Sequence, residues 1–265
     1  MHAMNAPAYV PTDTPWHLIS LRPQGQHDAL RRAAARIGAR TVALSPWRLR
    51  LRNDAATRAQ LAQALACDRI VFTSPAAVDA AARLLPLAQI PPGHAVTVGE
   101  GTARELRRRG VAGVQAPSRM DSEGLLALPA MRHLQGKRVA LVTAPGGRGM
   151  IAAQVQAMGA QLLRADVYDR VPLPVSAATV ARLQALQGIT VLALSSGEAL
   201  EHLLTQLPEP LIERWRAAPV VSASARLAEL ARSLGFGQVH VAAGPMPAQL
   251  ASAAYAVLHP QDPAP

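Results

Sequence analysis

Short, near-continuously apolar runs alternate with amphipathic segments along this chain, and that alternation leaves few folds open. The runs are His17–Leu21, Arg69–Thr73, Ala95–Val98, Arg138–Thr143, Ile189–Leu194, Pro219–Ser222 and Gln238–Ala242. Strands buried on both faces read this way, because neither face is left to water. Between the runs, apolar residues recur at i, i+3, i+4 and i+7. Examples are Leu30/Ala33/Ala34/Ile37, Val78/Ala81/Ala82/Leu85, Leu200/Leu203/Leu204/Leu207 and Leu227/Leu230/Ala231/Leu234. Such spacing gathers one apolar stripe on a helix. Gly38, Gly110, Gly159 and Gly235 stand where several of these helices stop, as expected of a left-handed C-terminal cap. Alternating strand and helix of this length predicts an α/β fold on parallel sheet.

The pattern also repeats. Ile37-Gly38-Ala39 recurs as Met158-Gly159-Ala160, and Phe72-Thr73-Ser74 aligns with Ala193-Leu194-Ser195 at the same offset of 121 residues. Ser122–Leu125 aligns with Pro247–Leu250 at an offset of 125. A chain of 265 residues, at roughly 150 per domain, favours two units. After each first strand and helix comes a longer stretch without helical period, Arg40–Arg52 and Gln161–Pro174. In the former, Arg48, Arg50 and Arg52 alternate with Leu49 and Leu51, so a strand there has a basic face and an apolar one. Two such stretches can pair as a ladder joining the domains. Periodicity leaves open whether the halves are contiguous or exchanged.

Composition removes several classes. Half the residues are hydrophobic, enough for a large core and against global disorder. No apolar run approaches the roughly 18 residues of a membrane span. One cysteine, Cys67, excludes a disulfide scaffold and a Cys-based metal site, and suits a reducing cytoplasm. Met1 to Pro15 lack a basic start and an apolar core, so they read as a frayed extension and not as a signal peptide. The formal charge is +10, from 27 basic and 17 acidic residues, with Lys137 the single lysine. Such an excess points to an acidic partner. Nucleic acid is disfavoured: aromatics make up only 3%, leaving few platforms for bases, and the arginines are spread along the chain. Arg104, Arg107, Arg108 and Arg109 cluster at helical spacing and read as a solvated helix face.

Most catalytic signatures are missing. There is no Cys pair, no His-x-x-x-His, no carboxylate–His cluster at ligand spacing and no Gly-x-Ser-x-Gly elbow, so a metal site is not expected. Gly99-x-Gly101 lacks the third glycine of a dinucleotide fingerprint. What remains is a set of hydroxyl and glycine residues at the carboxyl ends of strands: Arg22-Pro23, Ser74-Pro75, Gly99–Thr102, Thr143–Gly149, Ser195-Ser196-Gly197 and Ser222–Ser224. Each Ser or Thr has a structural role open to it as an N-cap, worth about 1 kcal/mol. The other role is ligand binding, since parallel sheets bind ligands at those ends and helix N-termini offer N–H groups to anions.

Taken in order, Leu-Arg-Pro-Gln-Gly (21–25), Val-Phe-Thr-Ser-Pro-Ala-Ala-Val (71–78), Val-Gly-Glu-Gly-Thr-Ala (98–103), Asp-Ser-Glu-Gly-Leu-Leu (121–126), Val-Tyr-Asp-Arg (167–170) and Leu-Ser-Ser-Gly-Glu-Ala (194–199) resemble the uroporphyrinogen-III synthase family from about Leu18 to Val257. The resemblance implies two similar flavodoxin-like, doubly wound parallel-sheet domains, joined by a two-stranded linker with a cleft between them. One domain is then discontinuous, 1–40 plus 173–265, the other is 47–166, and the linker strands are 41–46 and 167–172. It implies a cofactor-independent and metal-independent lyase of heme biosynthesis. That enzyme takes the linear, eight-carboxylate hydroxymethylbilane, removes water, inverts the last ring, D, and closes the macrocycle to uroporphyrinogen III. The implied setting is cytoplasmic and monomeric, with transient contact to the preceding pathway enzyme and with neither membrane nor nucleic acid as partner.

Site residues carry over position by position. Tyr168, in the second linker, matches the tyrosine that assists hydroxyl loss, with linker packing as its competing role. Ser74, Thr102, Ser195 and Ser196 match positions that face the family's cleft, and Ser224 is a further strand-end hydroxyl. Arg22, Arg148 and Arg226 follow strand ends and are the candidate carboxylate partners, with surface solvation as the competing role. Glu100, between two glycines, and Ser20, before Leu21-Arg22, depart from many relatives. Two other functions stay open: a catalytically silent tetrapyrrole or anion sensor of the same fold, and a basic nucleic-acid-binding protein.

Overall fold

The structure, a computed structural model, describes residues 15–146 and 149–261. Residues 1–14, most of the expected frayed extension, and the candidate Arg148 lie outside the described residues. In chain order the elements begin with β1 (Trp16–Ser20), α1 (Asp28–Ala35), β2 (Arg40–Ala43) and β3 (Trp47–Leu51). Next come α2 (Ala55–Leu65), β4 (Arg69–Phe72), α3 (Pro75–Leu84), β5 (Ala95–Thr97), α4 (Glu100–Arg108), α5 (Ser122–Ala127), β6 (Arg138–Thr143), α6 (Met150–Ala157) and β7 (Gln161–Asp166). The chain ends with β8 (Tyr168–Pro172), α7 (Ala177–Gln184), β9 (Ile189–Leu194), α8 (Gly197–Leu204), α9 (Glu209–Ala217), β10 (Val220–Ser222), α10 (Ala225–Ser233), β11 (Val239–Val241) and α11 (Pro247–Leu258). Two compact units result: Met1–Arg48 with Pro172–Pro265, and Leu49–Val171. Among the described residues no helix is long and apolar enough to cross a membrane.

Each apolar run forms a strand, and every pairing within the two large sheets is parallel. The first unit has five strands in the order β11-β10-β9-β1-β2, and the second has four in the order β5-β4-β6-β7. The second sheet is extended by a parallel bridge from Val96 to Gln115. Both sheets reverse their winding once. From β1 the chain moves outward to β2, and from β9 it moves the other way to β10 and β11. In the second unit β4 leads to β5, whereas β6 leads to β7 on the opposite side. The sequence repeat thus has a structural counterpart: β1-α1-β2 corresponds to β6-α6-β7, and β9-α8-β10 to β4-α3-β5.

Packing follows the two-residue period of a strand. In the second unit, Ile70, Phe72, Ala140 and Val142 turn to one face, against Leu61 of α2, Val78 of α3 and Leu106 of α4. Val71, Val139 and Leu141 turn to the other, against Leu125 of α5 and Val155 of α6. In the first unit Leu18, Val191 and Val221 pack on Leu30 of α1 and Leu250 and Leu258 of α11. Each large side chain buried this way contributes about 1.5–3 kcal/mol.

One reading of the sequence needs correction. Gln238–Ala242 reads as buried on both faces, yet Val241 is 50% exposed, because β11 is the edge strand of its sheet. The extended stretches Arg40–Arg52 and Gln161–Pro174 each hold two strands. Their first halves, β2 and β7, become sheet edges, while their second halves, β3 and β8, pair with each other. In that pair Arg52 N–H donates to Val167 O and Leu173 N–H to Pro46 O, so the strands run antiparallel.

Candidate functional site

In an open α/β sheet the crevice for a ligand lies beyond the carboxyl ends of the strands, where the winding reverses and neighbouring loops part. In the second unit that place is between β4 and β6, and a cavity of about 320 Å³ opens there. Thr73 and Ser74 line it from the end of β4, and Thr143 and Ala144 from the end of β6. Gly146, Gly149 and the first residues of α6 add another wall, and Arg164, Tyr168 and Arg170 complete the lining. Gly149 has a φ of 69° where α6 begins, and no side chain caps that helix. This left-handed backbone suits glycine, and Gly149 has no side chain to accept from the first N–H groups of α6.

Four hydroxyls of the cavity form two pairs. Thr73 Oγ1 donates to Thr143 Oγ1 at 2.8 Å. Ser74 caps α3, accepting from Ala77 N–H at 3.1 Å, and its Oγ lies 3.3 Å from the Tyr168 hydroxyl. Tyr168 is 8% exposed and belongs to the core cluster of its unit, so packing holds the ring while the phenol reaches the cavity. Two guanidinium groups bring positive charge. Arg164 Nε donates to Asp166 Oδ1 at 2.9 Å, and its Nη2 donates to Ala144 O at 2.6 Å. Arg170 Nη2 donates to Pro145 O at 3.3 Å. An arginine has five N–H donors, so Arg164 retains others for a ligand. Hydroxyls, guanidinium N–H groups and an uncapped helix start suit a carboxylate ligand. Among the described residues no group of His, Cys, Asp and Glu could hold a metal ion.

The corresponding edge in the first unit lies beyond β10, β9 and β1, which are neighbours. It carries Arg22 after β1, Ser195 and Ser196 after β9, and Ser224 after β10. Ser196 caps α8 through Ala199 N–H at 3.3 Å, and Ser224 caps α10 through Leu227 N–H at 3.4 Å. The Nε of Arg22 is buried with no hydrogen-bond partner among the described residues, and burial pushes the pKa of this guanidinium down. Arg226 is exposed on the first turn of α10.

The structure therefore brings Ser74 and Tyr168 together in one unit, and Arg22, Ser195, Ser196 and Ser224 to one sheet edge in the other. Thr102 is buried on the first turn of α4, at 4% exposure, and is not part of the cavity lining. Glu100 pairs with Arg107 at 2.7 Å. Arg108 and Arg109 pair with Glu105, and Arg109 also with Asp79. The α4 arginines are thus largely neutralised locally, as a solvated helix face should be.

Thr143, which opens the strand-end stretch Thr143–Gly149, lines the cavity, but sequence reasoning missed two other participants. Arg164 and Arg170 reach the cavity because β7 and β8 deliver them there, and no local period marks them. His27 was missed as well. It is 5% exposed, with Nδ1 2.8 Å from Ser20 Oγ and Nε2 2.9 Å from Ser45 Oγ. Burial, then Arg31 and Arg22, pushes its pKa below the ordinary 6.5, against a smaller opposing effect of Asp28.

Residues 17–252 match a family model described as uroporphyrinogen-III synthase HemD. The chain is similar to the uroporphyrinogen-III synthase of Salmonella typhimurium, 32% identical over 147 residues, which is 55% of this chain and 60% of that protein. It is similar to the Escherichia coli uroporphyrinogen-III synthase, 33% identical over 122 residues, which is 46% of this chain and 50% of that one. The matched region is therefore half to three fifths of each relative's length. A crystal structure of a mutant uroporphyrinogen III synthase from Thermus thermophilus has the same fold, with a TM-score of 0.60 at 17% identity, covering 93% of this chain and 100% of that one.

Proposed function

This chain belongs to the uroporphyrinogen-III synthase family, and on that premise we propose that it closes hydroxymethylbilane to uroporphyrinogen III, with loss of water and inversion of ring D. The observation that carries the reading is the family match over residues 17–252. The geometry of the second unit supports it. At about 320 Å³ the cavity is at the low end of the roughly 300–1,000 Å³ of small-ligand sites, room for part of a chain of four substituted pyrroles. We place the remainder of the bilane in a cleft shared by two domains, 1–40 with 173–265 and 47–166.

In the proposed reaction the bond from the terminal CH2 to its hydroxyl oxygen breaks, and the electron pair leaves with the oxygen. Tyr168 donates its phenolic O–H to that oxygen, easing departure as water. The pyrrole nitrogen electrons compensate, leaving a cationic azafulvene. Ring D then attacks through its substituted carbon, forming a spiro intermediate whose rearrangement inverts the ring, and the proton lost on closure restores the Tyr168 phenol. The free bilane closes without inversion, so the protein's main contribution is to hold the chain in the conformation that does not form spontaneously. Arg164, Arg170, Arg22 and the hydroxyls of Ser195, Ser196 and Ser224 meet substrate carboxylates, each charge-assisted bond contributing about 1.5–3 kcal/mol. Arg148, Thr102 and Arg226 are retained as further candidates for the same task.

The proposal includes a cytoplasmic, monomeric protein that briefly meets the enzyme releasing the bilane, because an open bilane left in solution is lost to spontaneous closure. The test is the isomer ratio. Purified protein fed freshly generated hydroxymethylbilane should move the product from the type I to the type III isomer. Unchanged proportions defeat the reading, and product binding without that change identifies a binding protein instead.

A further inference from the structure

We propose that Ser74 is a positioning residue for the phenol of Tyr168: its O–H donates to the phenolic oxygen and leaves the tyrosine's own O–H free for a bound hydroxyl. The inference rests on the reading of Tyr168 as the group that meets the leaving hydroxyl.

What surrounds Ser74 favours that direction. A serine oxygen offers one donor and two acceptor sites. One acceptor site is occupied by Ala77 N–H at 3.1 Å. Ser74 caps α3, a ten-residue helix with Pro75 at its first position, and the N-terminus of a helix is its positive end. One lone pair of Ser74 is therefore turned to the helix, and its hydrogen is free to point elsewhere. The Tyr168 oxygen, 3.3 Å from Oγ, is within its reach. Neighbouring Thr73 already donates to Thr143.

The opposite direction would spend the phenol's only hydrogen on Ser74, and Tyr168 would have nothing left to donate. The backbone of Ser74 is extended, at φ −161° and ψ 159°, and the tyrosine ring is packed in the core. Both oxygens are thus held by their own elements, and the direction of donation remains the variable that chemistry depends on.

The test separates capping from donation. Ser74→Asp keeps an acceptor for Ala77 N–H and, ionised, has no hydrogen to give. Ser74→Ala loses both, and Ser74→Thr keeps both. With kcat for bilane closure as the readout, Ser74→Ala and Ser74→Asp should each fall about five- to tenfold, the weight of one neutral hydrogen bond. Ser74→Thr should recover the loss, with KM little changed throughout. In a Tyr168→Phe background Ser74→Ala should cost nothing further, because the oxygen it acts through is gone.

A second readout is independent of turnover. The chain has three tyrosines, so 3-fluorotyrosine labelling gives three ¹⁹F resonances, and Tyr168→Phe identifies the one from Tyr168. That resonance should move in Ser74→Ala and Ser74→Asp and stay near its native position in Ser74→Thr. A resonance unmoved in folded Ser74→Ala, or an equal loss of kcat in the Tyr168→Phe background, overturns the inference. If the native chain closes no bilane, the proposed function fails, and the fluorine spectra alone decide whether Ser74 controls the phenol.

Discussion

Arg52 Nε donates to Asp169 Oδ1 at 2.8 Å, joining two paired strands whose contacting residues lie 117 positions apart in the chain. Arg50 Nη2 reaches the other carboxylate oxygen at 3.1 Å, so one acid serves an arginine of β3 and the arginine just beyond its end. The hydrogen bond from Arg52, with Arg50 adding to it, holds the Asp169 carboxyl below the usual carboxylate range, although burial opposes this. The side chain of Asp169 is 22% exposed and that of Arg50 is 67% exposed, which screens the interaction. Asp169→Asn should therefore cost about 0.5–1 kcal/mol at neutral pH. Because the folded-state pKa is depressed, this stabilisation is complete above about pH 4, the unfolded value. It is lost as pH falls through the folded value. Urea unfolding of both proteins at pH 7 and at pH 3 checks it; a difference of equal size at both pH values assigns the effect to something other than charge.

That ion pair also marks where local sequence stops being informative. The alternation of Arg48, Arg50 and Arg52 with Leu49 and Leu51 reveals a two-faced strand, because side-chain direction is a local property. It does not reveal Asp169 as the partner, because the register of a ladder depends on a pairing made elsewhere. The same division holds across the fold. The apolar runs and helix stripes are visible one element at a time, and the duplicated order makes the two sheets legible. The exposure of Val241 was hidden, since edge or centre is decided by sheet order. Ser74 and Tyr168 were legible as separate candidates, one by its capping position and one by resemblance. Their 3.3 Å approach depends on how β4 and β8 meet. Arg164 looked like an ordinary strand residue until β7 took its place beside β6.

His27 gives the protein a stability response near neutral pH. Both its ring nitrogens are bonded to serine hydroxyls, and burial followed by Arg31 and Arg22 lowers its pKa from 6.5. The unfolded chain therefore takes up a proton at a pH where the folded chain still refuses it. Stability is full above about pH 6.5 and declines as pH falls from there through the lowered folded value. His17 and His240 are lowered as well, chiefly by burial, and contribute to the same slope. Replacing His27 by Gln should cost about 1–3 kcal/mol at pH 8 for the disrupted buried hydrogen bonds, and should flatten the decline between pH 7 and pH 5. A variant with the native slope would remove His27 from the response.

Arg164 distinguishes a ligand-binding cavity from an internal ion pair. Its Nε is committed to Asp166 and its Nη2 to Ala144 O, so Arg164→Gln deletes a structural link along with any ligand contact. With the side chain 35% exposed, the binding effect belongs at the weaker end of charge-assisted bonds. The Kd for the octacarboxylate product should rise about tenfold, and its dependence on salt should weaken. Titration calorimetry at two ionic strengths measures both. Unchanged affinity with reduced thermal stability confines Arg164 to its partnership with Asp166.

Tyr168→Phe separates chemistry from packing at the cavity. The ring is 8% exposed and sits in the core cluster, and phenylalanine preserves that packing while removing only the oxygen. If the phenol assists departure of the substrate hydroxyl, the loss appears in the step that breaks the C–O bond. It should lower kcat by about 10- to 100-fold. The product lacks that hydroxyl, so its Kd should stay within about twofold, since the lost contact belongs to the reacting state and not to uniform binding. Single-turnover closure of the bilane supplies the first quantity and product titration the second. A parallel loss in both makes Tyr168 a packing and binding residue, and the assistance to hydroxyl loss must then come from another hydroxyl of the cavity, with Thr143 the first to replace.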